Sequence, residues 1–214
     1  MSSNDIISRQ RGPRIDLVTG LSKDDDVLVV GLIAPETSDE SGDDPNTDEP
    51  TLLVTEDLLD DAAAEALTSA LRAVQATGKQ GQVATVPAPD GLPVRLVAAV
   101  GLGTAEESES PETVRQAAGN AIRSLDGAGT VVSTLSAAGL GAAAEGFYLG
   151  AYRFDEFRSD VSRPEKQPPS QVGLLVPQKS KQAKAELDHA LVVADAVALD
   201  RDFVNTPPSH LFPG

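Results

Sequence analysis

Two glycine pairs and two histidines are the residues whose type and spacing bear first on chemistry. Gly101-Leu102-Gly103 and Gly139-Leu140-Gly141 each follow an apolar run and precede a helical pattern, the position at which main-chain amides can cradle a phosphate. Neither pair extends to GxGxxG with an acidic residue at ribose distance, nor to a GxxxxGK loop. Tight-turn packing is therefore the first reading of Gly101, Gly103, Gly139 and Gly141, and an ADP-ribose-like ligand the alternative. His189 and His210 are the only histidines. No HExxH pattern or carboxylate cluster surrounds them, and no GxSxG elbow exposes a serine. Cysteine is absent, which removes disulfides and thiolate zinc sites and fits a reducing compartment. No catalytic residue, metal ligand or cofactor is assigned within these residues.

Charge narrows the partners further. The formal net charge is −16, yet it belongs to one region: from Asp24 to Leu71 there are fifteen carboxylates and no Lys or Arg. Within it, PETSDESGDDPNTDEP at 35–50 is too polar and proline-bearing to bury surface, so a solvated, mobile loop is expected. It lacks the carboxylate spacing and glycine of an EF-hand. Residues 153–184 hold seven of the seventeen basic side chains, interleaved with Asp155, Glu156, Asp160 and Glu165. Phosphate binding needs accumulated positive charge, so nucleic acid is not an expected partner. No apolar run reaches the roughly 18 residues of a membrane span, and the N-terminus lacks a signal-peptide core. A cytoplasmic location follows as the expectation.

The elements around these residues read as alternating strands and helices. Strands are expected at 15–20, 27–33, 82–88, 94–102, 130–135 and 171–177, with a PDGLP turn at 89–93. Helices are expected from Thr55, as N-cap, to Gly78; from Ser110-Pro111 to Leu125; over 145–154 after the glycine-bearing AAGLGAAA; and from about Ser180 to Val204. The last carries an apolar stripe of Leu187, Ala190, Leu191, Ala194, Val197 and Ala198. Aromatics are only 3% of the chain, so the core must be Val, Leu, Ile and Ala. The fold class is α/β, a mixed, mostly parallel sheet between helical layers, followed by a long helix with no strand after it.

Three stretches together resemble the leucyl aminopeptidase family: RDFVNTPPSHLFPG at 201–214, EGFYLGAYRFDEFRS at 145–159, and RQAAGNAIRSL after the GLG turn. The resemblance implies a macro-domain-like N-terminal domain over 1–178, an interdomain connecting helix over 179–205, and the start of a catalytic domain over 206–214. Arg201, Asn205, Pro207 and Pro208 would form the interdomain hinge. It implies that the intact protein removes N-terminal residues from peptides with two divalent ions, zinc or manganese, held by its catalytic domain. The motifs that carry those ligands do not occur in these residues, so the segment itself is expected to be inactive. Its implied role is assembly, as the outer part of a hexamer packed on its own catalytic domain, and control of access to the active site. A small-molecule binding module and a nucleic-acid binding domain are the rival readings.

Overall fold

The computed structural model describes residues 9–35, 49–54, 58–157 and 166–211. Most of the acidic segment, Thr55 with Glu56 and Asp57, the basic residues Arg158 and Arg163, and the last three residues lie outside them.

Among the described residues the strands are β1 (Arg14–Val18), β2 (Val27–Ile33), β3 (Thr51–Leu53), β4 (Val83–Pro87), β5 (Leu96–Gly103), β6 (Thr130–Ser133) and β7 (Gln171–Leu175). They form one sheet in the order β1-β7-β6-β2-β5-β4, with β3 added antiparallel along the end of β2. The five strands from β1 to β5 in that order run parallel, and β4 closes the edge antiparallel to β5. The helices are α1 (Asp61–Ala73), α2 (Ala105–Ser108), α3 (Pro111–Ser124), α4 (Ser136–Gly150) and α5 (Lys181–Asn205).

Strand periodicity divides the core in two. Val27 and Val29 of β2, Ala98, Val100 and Leu102 of β5, and Val172 and Leu174 of β7 face a layer made by α3, α4 and α5. Leu28, Val30 and Leu32, with Val97 and Ala99, face α1 through Leu67 and Leu71. That double coverage explains why β2 is apolar almost throughout, as a central parallel strand must be. The mixed, mostly parallel sheet between helical layers is as the sequence pattern implies.

The helix layer packs closely because its facing residues are small. A Cβ on Gly146 of α4 would lie 2.7 Å from the Ala118 side chain of α3 and press into the Arg115 carbonyl. At the other end of the sheet the Asp26 carboxylate accepts from the Gly129 N–H at 2.7 Å and the Thr130 N–H at 3.3 Å, and pairs with Arg95 at 3.3 Å. The Gly129 amide, helped by Thr130 and Arg95 against partial desolvation, holds Asp26 below the usual carboxylate range.

Several local expectations differ. The helix α1 starts at Asp61, capped by Asp60, whose side chain accepts from the Ala63 N–H at 2.8 Å; Leu58 and Leu59 before it are not helical, and the expected cap Thr55 lies outside the described residues. It ends before Gly78 because Gln75 adopts a positive φ of 56°. Ser110 makes no side-chain cap bond; Pro111 at the first helical position needs no acceptor. The short strand β3 and the short helix α2, capped reciprocally by Thr104 and Glu107, have no counterpart in the sequence reading. The helix expected over 145–154 begins earlier and ends earlier: α4 runs Ser136–Gly150 through the AAGLGAAA stretch, broken at Gly139, which is extended.

Candidate functional site

The chemistry of this domain gathers where α5 ends. Leu187, Ala190, Ala194 and Ala198 are buried along the inner face of that helix, and the next place on the same stripe is Asp202, 1% exposed. Val197, by contrast, is 40% exposed and does not belong to the buried stripe. A carboxylate at a core position requires partners, because an isolated buried charge costs several kcal/mol.

Asp202 finds them across the chain. Arg11 donates its Nε–H to Asp202 Oδ2 at 2.7 Å, and both side chains are 1% exposed. Arg11 Nη1 lies 3.3 Å from Asp195 Oδ1, about two turns earlier and half-exposed, and donates to the Arg9 carbonyl at 3.0 Å. Arg9 Nη2 reaches Asp202 Oδ1 at 3.4 Å, while its Nη1 meets Glu156 at 2.7 Å. From α4, Tyr148 donates its hydroxyl to Asp195 at 2.7 Å, and Tyr152, just beyond its end, donates to Asp202 Oδ1 at 2.8 Å. The segment crosses the Tyr148 ring at Gly12, where a Cβ would lie 2.6 Å from the ring.

The electrostatics follow from the geometry. Burial alone would lower the Arg11 pKa, but its hydrogen bonds to the Asp202 and Asp195 carboxylates and their charge outweigh it, and the net shift is upward. Burial, then the Asp195 carboxylate, push the Tyr148 hydroxyl up to about 12. Tyr152 also shifts upward, first through burial.

The expected hinge residues Arg201 and Asn205 lie in this cluster. Arg201 stacks its guanidinium over the Tyr152 ring at 5.6 Å and donates to the Leu149 carbonyl at 3.3 Å; Asn205 donates to the Tyr152 hydroxyl at 3.2 Å. Thr206 closes the helix, its N–H and hydroxyl both reaching the Asp202 carbonyl, at 2.9 and 2.6 Å. Pro207 accepts from the His210 N–H at 2.9 Å in a final turn with the exposed Pro208. His210 lies 4.7 Å, ring to ring, from Phe157.

The structure disperses the other candidates. Gly101 and Gly103 lie within β5 and donate to the Gln82 and Gly78 carbonyls at 2.8 and 2.9 Å. Gly139 donates to the Leu135 carbonyl at 3.2 Å and Gly141 to Glu186 Oε1 at 3.0 Å. All four glycine amides are taken within the fold. The crevice beyond β2 and β6, where an open α/β sheet commonly binds ligands, is spanned by β3, with the Thr134 hydroxyl donating to the Leu53 carbonyl at 2.6 Å. His189 is exposed on α5, Arg153 pairs with Asp126 at 3.1 Å, and Lys179, Lys181 and Lys184 face solvent or its margin without gathering around a groove. Among the described residues no group of three or more His, Cys, Asp or Glu side chains is placed to hold a metal ion, and no helix is long and apolar enough to cross a membrane.

Sequence reasoning missed Arg9, Arg11, Tyr148, Tyr152, Asp195 and Asp202. One signal was present: Asp202 continues the Ala194, Ala198 spacing that otherwise marks core.

Fold and cluster together define an α/β domain that delivers a long helix and its exit to one polar knot. Comparison with known proteins assigns it: residues 29–161 match the model of the cytosol aminopeptidase family, N-terminal domain, and the chain belongs to that family. It is 46% identical over 209 residues to a probable cytosol aminopeptidase of Rhodococcus jostii (strain RHA1), covering 96% of this chain and 39% of the relative. A probable cytosol aminopeptidase of Mycobacterium leprae (strain TN) is 39% identical over 213 residues, with 95% and 40% covered. The chain thus spans about two fifths of the length of the curated relatives it matches. Among solved structures, the bottromycin maturation enzyme BotP superposes with a TM-score of 0.60 at 26% identity, over 88% of this chain and 34% of that one. A tomato leucine aminopeptidase mutant does so at 0.61 and 18% identity, over 96% and 41%, a likeness of fold.

Proposed function

We propose that this domain is the non-catalytic part of a metal-dependent leucyl aminopeptidase, serving assembly and access to the active site. The observation that carries the reading is the placement of α5, which is packed into the domain core along one face and leads directly into the Thr206-Pro207-Pro208 exit. Residues 1–178 act as the α/β body, 179–205 as the connecting helix, and 206–214 as the first residues of a catalytic domain. In the whole protein that domain holds two divalent ions, zinc or manganese; one of the solved neighbours is BotP in complex with Mn. The described residues here do not offer a site for them, and no chemical step is assigned to this segment. The intact protein releases N-terminal amino acids from peptides, works as a hexamer and resides in the cytoplasm; nucleic acid is not its partner.

The test is an assay of the purified chain with a leucine anilide and added manganese, beside a binding titration against the catalytic region of the Rhodococcus jostii relative. The expected outcome is no hydrolysis above buffer and saturable binding. Manganese-dependent turnover that survives repurification, or no binding at any concentration tested, overturns the reading.

A further inference from the structure

Arg9 and Arg11 stand 193 and 191 positions before Asp202 in the chain. The sheet and its helices are closed by apolar contacts that involve neither arginine. The arm touches the last three turns of α5, through Asp195 and Asp202, and the segment after α4, through Glu156, the Phe154 ring and the Arg153 carbonyl, which accepts from Arg9 at 2.7 Å.

We infer that residues 9–11 are a brace that fixes the direction in which the chain leaves α5. Arg11 acts as a positioning residue: its planar fork meets two carboxylates set seven residues apart on one helix, so both turns are held by one rigid group. Tyr148 shares Asp195 Oδ1 with the fork, and Tyr152 takes Asp202 Oδ1 beside it. Asp202 in turn carries Thr206 on its carbonyl, so the brace passes from the arm to the residue at which the helix stops. The consequence for a second domain rests on the function proposed above, but the brace itself is a property of this chain and is tested on it alone.

The chain has no cysteine, so spin labels placed at Val204→Cys and Gln116→Cys, both exposed, are the only ones present. The expected result for Arg11→Met is a label-to-label distance distribution at least twice as broad as in the parent, with amide exchange over 199–206 at least tenfold faster and β2 and β5 amides unchanged. Arg14→Met, which breaks only an exposed pair with Asp16, is expected to alter neither. Arg11→Lys keeps the charge but not the fork, and broadens the distribution to a lesser degree; it serves if the methionine variant fails to fold. Distributions for both Arg11 variants that superpose on the parent overturn the inference. So does exchange that rises equally in β2 and the last turn of α5, because the pair is then an ordinary contributor to global stability.

Discussion

The centre of the sheet and the end of α5 are both buried, yet they are held by opposite means. Around β2 and α4 the contacts are apolar and interchangeable in kind: Leu28, Val30, Val97 and Phe147 touch many neighbours, and each contributes by the surface it removes from water. At the end of α5 the contacts are directional and charged, with Arg11 and Tyr152 both meeting the Asp202 carboxylate. The first kind sets how stable the domain is. The second sets where one element points, because a buried ion pair adds little net stability but tolerates one geometry.

The contrast can be pressed at three strengths. Phe147 is the largest of the fully buried side chains, and Phe147→Ala should cost about 3–5 kcal/mol, read from urea unfolding; a loss confined to α5 would erase the distinction between the two regions. Tyr148→Phe removes the hydroxyl that meets Asp195 and should cost about 1–2 kcal/mol near neutrality. Its sharper signature is in alkali. Because folding raises the Tyr148 pKa to about 12, its stabilisation is complete below the ordinary tyrosine value near pH 10 and is lost as pH climbs toward 12. The urea midpoint of the parent should therefore fall more steeply above pH 10 than that of Tyr148→Phe; parallel curves would show that the hydroxyl is not held by the cluster. The weakest effect belongs to Arg14→Gln. Arg14 and Asp16 are 72% and 57% exposed, so a change within about 0.5 kcal/mol is expected by the same denaturation, against which the Arg11 variants gain their meaning.

The two regions also differ in how far the sequence discloses them. The strands β2 and β5 are legible because unbroken Val, Leu and Ala runs have few other uses, and α3 because Pro111 and the Val114, Ala117, Ala121 spacing agree. β3 is three residues long and has no pattern to detect; it exists because β2 extends past β6 and offers it an edge. The start of α1 is not legible because Thr55 and Asp60 are both acceptable cap residues by type. Arg201 and Asn205 are singled out only by resemblance, as hinge residues, whereas Arg11 and Asp195 depend on a contact across 184 residues that no local pattern encodes.

The inner face of α5 is lined by Ala190, Ala194 and Ala198, and Gly141 of α4 lies against Ala190. Such a seam lets the helices approach closely, but it is smooth: methyl groups form shallow ridges that resist sliding far less than leucines do. Axial register is therefore not chosen by the seam apart from Leu187. A slip of one turn, about 5.4 Å, would keep alanine opposite small residues while carrying Asp202 past Arg11 and stranding two charges away from water. The ion pair is thus the notch on a shallow rail, and with Leu187 it marks the stop at which α5 rests.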